Sequence, residues 1–395
     1  MNDMGNNESR QMSLCERRKH CMCTANFLLV STVVMQFVAL SEQSSSVMPS
    51  SEALSFFNIA YMLGLFIPGP VGAFLVDKYR RQNVYRVSLI AMVVATALMY
   101  FDKSVEVVAL VRFLEGMMFG LAQVTLGSTL LNDLSVSESR TSSDYSFAWS
   151  ALIAVPCGAG LGYFLMEEFN FNVMLLCGIA MLAASVALVS SLKVPFRAPI
   201  HPGIFGLDRF WQKNDFVPFL NLLLISIPAG VVIMAFGSWL FWAFAAAGAI
   251  TANVVRKAVF RNADMRAEIV SGLLCAFFAL LIIIVRDVDT YYKVASFMFG
   301  AGISLASTRF LLYFLKLTGH CQRGTAQNTY MLSRECGYAL GLVLALMIPV
   351  ALETALVLIL LSVALYLFVT HPWFMRHGDR GFKFREHYCP VKVDK

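Results

Sequence analysis

Five ionisable residues stand in the middle of long apolar runs of this sequence: Arg112, Glu115, Arg309, Arg334 and Glu335. Apolar surroundings make an unpaired charge expensive, so each needs a partner or a task. Glu115 and Glu335 are the only carboxylates placed so deeply, and a buried carboxylate can take up and release a proton. In helical geometry Arg112, Glu115, Phe119 and Gln123 fall within a stripe of about 80°. Gln327, Tyr330, Arg334 and Tyr338 repeat the same offsets. Such a stripe lines either a water-filled cavity or a helix contact. Arg309 and Glu335 lie at similar depths from the ends of neighbouring runs, which makes an interhelical Arg309–Glu335 pair geometrically possible. Arg112 and Glu115 form a second candidate pair, and in both cases simple tying of helices is the alternative to proton handling.

Other chemistries lack their residues. All six histidines, at 20, 201, 320, 371, 377 and 387, lie outside the apolar runs. Haem and di-iron centres buried in a bilayer need histidine ligands that this pattern does not supply. His20, Cys21 and Cys23 have no second half at zinc spacing, so no metal site is expected, and the nine cysteines are not arranged as a disulfide framework. No phosphate-cradling glycine-rich motif is present, so ATP as a direct energy source is unsupported and no cofactor is expected.

The elements that must position the charged residues are long and oily. Hydrophobic residues make up 58% of the 395 and charged residues only 14%, which a soluble domain could not bury and a disordered chain would not contain. A helical span needs about 20 apolar residues. Twelve such runs lie near 24–40, 53–76, 84–101, 106–130, 145–166, 170–191, 217–236, 238–255, 269–285, 291–315, 326–349 and 351–369. They are continuously apolar rather than alternating, which excludes barrel strands. The fold class is therefore an all-α integral membrane protein with twelve transmembrane helices in two six-helix halves. The expected organisation is a cytoplasmic tail 1–23, an N-terminal half 24–192, a cytoplasmic linker 193–216 holding Pro195, Arg197, Pro199, Pro202, Asp208 and Arg209, a C-terminal half 217–370 and a cytoplasmic tail 371–395. The first run lacks a small-x-small cleavage pattern and is read as an uncleaved span.

Of the 31 Lys and Arg residues, 25 lie in or beside alternate loops and the two tails, against three on the opposite side. This bias places both termini in the cytoplasm. The net charge of +6 is that orientation signal and does not indicate nucleic-acid binding. The lipid bilayer and a small molecule are the expected partners, the chain is expected to be a monomer, and a bacterial cytoplasmic membrane is the expected location.

The segment Ala73 to Gln82, with Asp77, Lys78 and Arg81, resembles the Gly-x-x-x-Asp-Arg/Lys-x-Gly-Arg-Arg/Lys signature of the major facilitator superfamily, with Ala73 and Arg80 in place of its two glycines. Gly248 and Ala249 followed by Asn253, Arg256, Lys257 and Arg261 form a degenerate echo, which suggests two parallel repeats. Arg112 through Gly116 is similar to the family's Arg-x-x-Gln-Gly element, with Glu115 at the Gln position. Val155, Pro156, Ala159, Gly160 and Gly162 are similar to the glycine-proline stretch of its drug/proton antiporter branches. The resemblance implies gating by Asp77, Lys78 and Arg81, and proton coupling through Arg112, for which Glu115 and Glu335 are the carboxylate candidates. Gln36, Gln123, Trp149, Asn221, Gln327, Tyr330 and Arg334 are the candidate lining of a substrate cavity.

The reading that follows is a secondary active transporter working by alternating access, with proton-coupled efflux as its expected mode and the proton gradient as its energy source. Nutrient uptake by symport or uniport is the alternative within that class. A membrane enzyme or a non-transporting receptor is more remote, since nucleophile motifs and a folded extramembrane domain are both missing.

Overall fold

The computed structural model describes residues 2–47, 51–135, 139–194, 203–207, 209–258, 264–285, 289–319 and 322–377. Pro195, Arg197, Pro199, Pro202, Asp208, Arg261 and the tail beyond residue 377 lie outside them, as does the side chain of Lys257. The described residues are helical almost throughout. A bilayer offers no water to the backbone, and an apolar run satisfies its N–H and C=O groups internally by coiling into a helix.

The helices are α1 (Asn2–Val47), α2 (Ser51–Phe66), α3 (Gly69–Lys78), α4 (Arg81–Phe101), α5 (Val105–Gln123), α6 (Leu131–Leu134), α7 (Arg140–Glu168), α8 (Phe171–Ser190), α9 (Phe216–Ala235), α10 (Trp239–Ala258), α11 (Met265–Val285), α12 (Asp289–Leu317), α13 (Arg323–Met347) and α14 (Ala351–Leu365). A π-helical stretch, Val124–Leu130, joins α5 to α6, and another, Tyr366–Thr370, extends α14. The expected tail 1–23 is part of α1, which runs without a break from Asn2. Pro68 stands at the break between α2 and α3, where a missing N–H and the restricted preceding residue end one helix and start another. The two pieces meet at 49°. Asn170 caps α8 by accepting from the Val173 N–H, satisfying a donor that the helix leaves free.

Nine helices among the described residues are long and apolar enough to cross a membrane, or ten with α2 and α3 as one bent span. That is fewer than the twelve expected. The helices left out are α5 and α13, because Glu106, Arg112 and Glu115 in one and Arg334 and Glu335 in the other reduce their apolarity. The helices that carry the chemistry are thus the ones least suited to lipid. Consistent with this, Arg112, Glu115 and Arg334 are fully buried and Glu335 nearly so.

Close contacts hold these polar helices in place. α2 packs on α5, α1 on α7 and α8, and α13 on α9, while α10 and α11 both pack on α12. Contacts of α2 with α13 and of α7 with α10 join the two groups. A Cβ on Gly116 would fall 2.1 Å from the Tyr61 carbonyl oxygen, and one on Gly341 2.1 Å from that of Ile227. Missing side chains at these points let backbones approach within a distance no other residue permits. Gly116→Leu should lower the melting temperature of the purified protein, with a loss of at least about 1–3 kcal/mol typical of overpacking. Gly206→Ala, at a position with open space around it, should leave the melting temperature unchanged, and equal effects of the two would show that the close approach is not required.

Candidate functional site

Arg112 projects from α5 into a fully buried polar knot. Its Nη1 lies 2.8 Å from Glu115 Oε2 and donates to Gln36 Oε1 at 3.1 Å. Thr96 donates to Glu115 Oε1 at 3.0 Å, and Gln36 Nε2 donates to the Thr96 hydroxyl at 3.1 Å. Four side chains from α1, α4 and α5 therefore share one network. The guanidinium also sits 4.4 Å from the ring centroid of Phe37 and 4.8 Å from that of Tyr61, where ring quadrupoles offset part of its lost hydration. Its Nε and Nη2 have no hydrogen-bond partner.

α13 supplies the opposing side. Arg334 donates through Nε and Nη2 to the Tyr338 hydroxyl, at 3.2 and 2.9 Å. Its Nη1 reaches only the Met331 sulfur, at 3.6 Å. Both oxygens of Glu335 lack a hydrogen-bond partner. Tyr61 of α2 has its ring 4.8 Å from the Arg112 guanidinium and an unpartnered hydroxyl, and the charges of Glu335 and Glu115 both act on it. Tyr61 thus feels charges from both α5 and α13. Neither Tyr61 nor Thr96 stands out in the sequence, because tyrosine and threonine in apolar runs carry no charge that demands explanation.

The expected Arg309–Glu335 pair does not form. Arg309 Nε instead lies 2.9 Å from Oε2 of Glu268, a carboxylate buried in the first turn of α11. Arg309 and Glu335 are on neighbouring helices, α12 and α13, but the carboxylate that meets Arg309 comes from α11. Placement near the end of its run conceals Glu268 from a search for deep charges.

The remaining candidate lining residues separate into two groups. Gln327 is fully buried and neither its Nε2 nor its Oε1 has a partner, and the Tyr330 hydroxyl is also unpartnered. Trp149 packs with Ala252 and Leu305 from α10 and α12, its Nε1 unpaired. Gln123, by contrast, donates to Asn26 on α1 at 2.9 Å, and Asn221 donates to Thr370 at 2.8 Å, which turns it toward the end of the last helix. Those two contacts tie helices together.

Asp77 anchors a latch at one end of the bundle. It accepts from Arg209 at 3.0 Å and from Arg81 at 3.4 Å, while Arg81 also pairs with Asp133 beyond the π-helical stretch. Lys78 stays outside this network, exposed, with its ammonium 4.8 Å from the Phe74 ring centroid. Arg209 adopts a φ of 66°, a left-handed conformation that a non-glycine residue holds only when its surroundings fix it. Its N–H donates to Thr325 at 3.0 Å, and the N–H of Gln212 donates to Thr329 at the same distance. The Asn328 amide donates to the Phe210 carbonyl oxygen at 2.9 Å. The linker is therefore wedged between Asp77 and α13. At the other end, a cleft is lined by Phe37, Leu40, Leu54, Phe57, Asn58 and Met234 among others, with Phe37 shared between the cleft and the Arg112 guanidinium.

Among the described residues, no group of three or more His, Cys, Asp or Glu side chains is placed to hold a metal ion. What the arrangement can do is exchange charge partners and protons between two groups of helices. A sequence model described as the Major Facilitator Superfamily matches residues 22–342. The chain belongs to that superfamily. This makes it a multi-pass membrane transporter rather than an enzyme. A crystal structure of the nucleoside transporter NupG is similar, with a TM-score of 0.61 at 11% identity, covering 91% of this chain and 99% of that one. A crystal structure of a bacterial homologue of the iron transporter ferroportin in an outward-facing state gives a TM-score of 0.62 at 12% identity, covering 89% and 98%. Comparison with curated protein sequences gives no match. These identities establish a shared fold and nothing about cargo.

Loss of the Asp77 charge should loosen the latch. In Asp77→Asn, a cysteine introduced at Ser128, buried where its hydroxyl meets the Arg209 carbonyl oxygen, should react with a membrane-impermeant maleimide several-fold faster than in the parent with Asp77 intact. Equal labelling rates would show that the ion pairs do not hold this end closed.

Proposed function

We propose that this superfamily member is a proton-coupled secondary transporter that exports a small molecule in exchange for protons, with Glu115 and Glu335 as the proton-carrying groups. The observation that carries the reading is that two buried carboxyls, one paired with Arg112 and one without a hydrogen-bond partner, stand on α5 and α13, two helices that both pack on α2, where the charges of both act on Tyr61. The Lys and Arg bias supports reading the latched end as cytoplasmic, so that the cleft faces outward in this conformation.

Coupling follows from charge bookkeeping in a medium of low dielectric. When Glu115 is ionised, Arg112 is neutralised at 2.8 Å. Protonation of Glu115 from the cleft removes that partner and leaves a buried cation uncompensated, a change worth about 3–5 kcal/mol. That is on the order of a 10²- to 5 × 10³-fold bias between conformations. Arg112 then gains by turning toward Glu335 across Tyr61, which changes the contact between α2, α5 and α13 and works against the latch. Release of the proton at the other end restores the pair. Export as the direction is supported by the similarity of the Val155 to Gly162 stretch to antiporter sequences, while the uptake alternative would use the same groups with the opposite sign of proton flow.

In proteoliposomes with an internal pH dye and a panel of amphipathic compounds, substrate addition should acidify or alkalinise the lumen, and the sign should be that of antiport. Glu115→Gln should abolish this proton movement while substrate–substrate exchange persists, and Glu335→Gln should reduce it at least tenfold. Unchanged proton movement in both variants would remove these carboxyls from the coupling mechanism. Substrate flux without any pH response would make the protein a uniporter.

A further inference from the structure

The two buried arginines at the centre of this protein are not equivalent. Arg112 has a carboxylate at 2.8 Å, a side-chain amide at 3.1 Å and two aromatic rings against its face. Arg334 is equally buried but no carboxylate pairs with it among the described residues. Its guanidinium sends two donors to a single phenol and a third to a thioether, which is weak satisfaction for a planar fork built to grip two oxygens at once. Glu335 follows it in sequence, but residues one apart point about 100° away from each other around a helix. Its carboxylate therefore balances the net charge without occupying the fork.

Unused polar groups lie on the same side of α13. Gln327 is two helical turns before Arg334 and so almost on the same line, with Tyr330 between them. Gln327 is fully buried with both amide atoms unpartnered, and the Tyr330 hydroxyl is unpartnered as well. A buried amide left without partners costs stability and calls for a ligand or water to satisfy it. Tyr330 packs edge-on against Phe314 at 5.7 Å between centroids, and the Arg334 guanidinium stands 5.7 Å from the Tyr330 ring and 5.5 Å from that of Tyr338. The surroundings of the free fork are thus aromatic.

We infer that Arg334, Gln327 and Tyr330 form the subsite for the anionic group of the transported molecule, and that this molecule is a small monocarboxylate with an aromatic or aliphatic body. One guanidinium fork that no carboxylate occupies matches one carboxylate. A dianionic phosphate would need a second cation, and Arg112 is already engaged by Glu115. The inference rests on the transport reading for its central site, but concerns only what binds there.

The test is thermal unfolding of the purified full-length protein with benzoate, phenylacetate, salicylate, lactate and hexanoate, alongside phenyl phosphate, benzamide and benzylamine. At least one carboxylate should raise the melting temperature saturably, and neither benzamide nor benzylamine should do so. Arg334→Gln should weaken that binding about 10- to 150-fold, in keeping with loss of a charged hydrogen bond. Gln327→Leu, which keeps the charge and removes a buried unsatisfied amide, should fold at least as well as the parent and weaken binding about 3- to 10-fold. Binding of benzylamine or phenyl phosphate in preference to every carboxylate, no binding of any carboxylate, or undiminished carboxylate binding in both variants would overturn the inference. Proton-coupled flux of an amine without carboxylate binding would overturn this substrate class while leaving the transport reading standing; carboxylate binding with no proton movement would do the reverse.

Discussion

An arginine and a glutamate held 2.8 Å apart, both fully buried, set the terms for everything built near them. Neither charge is tolerable alone in such surroundings, and together they need hydrogen bonds to the carboxylate and aromatic rings against a guanidinium whose Nε and Nη2 have no hydrogen-bond partner. That requirement brings Gln36 from α1 and Thr96 from α4 to one point on α5, and it places two aromatic rings against the guanidinium. The fold of this region is the geometry that satisfies one ion pair. Because the pair holds a titratable group, the same geometry depends on a proton.

Close helix packing makes the dependence mechanical. Gly116 lies one residue beyond Glu115 and touches the backbone of Tyr61, so the turn of α5 that carries the carboxylate is pressed against α2, which packs in turn on α13. A loosely packed helix could absorb the loss of an ion pair by local side-chain rotation. Here the backbones are already in contact, and in the proposed cycle a change of charge at Glu115 is relieved by moving helices. The latch formed by Asp77, Arg81, Asp133 and Arg209 sits at the end of those same helices, partly exposed, where ion pairs are individually weak enough to break.

Much of this was legible in the sequence because membranes impose simple rules. Apolar runs became helices, and charges in the runs became buried centres. The Arg112–Glu115 contact follows from three residues of spacing on one helix. The errors arose where a property of one sequence position depends on a neighbour in space. Arg309 pairs with Glu268 rather than Glu335 because helix rotation, which no single run encodes, decides which carboxylate it meets. Tyr61 was invisible for the same reason, since its importance comes from what stands on either side of it. Arg209 reads as an ordinary linker charge, yet its left-handed backbone and the hydroxyls of Thr325 and Thr329 make the linker part of the closed end. The tally of spans was affected by the chemistry itself, as α5 and α13 are too polar to score as membrane helices by composition.

In the proposed cycle, protonation at Glu115 drives the two groups of helices apart at the latched end. This is tested most directly by the distance between spin labels at Tyr79 and Lys316, both exposed at that end, in a cysteine-free protein in nanodiscs, measured by pulsed electron resonance at pH 8 and pH 5.5. The account predicts a population with a longer distance that grows on acidification, and that is insensitive to pH in Glu115→Gln. A distance that does not respond to pH in the parent protein, or that responds equally in Glu115→Gln, would contradict it.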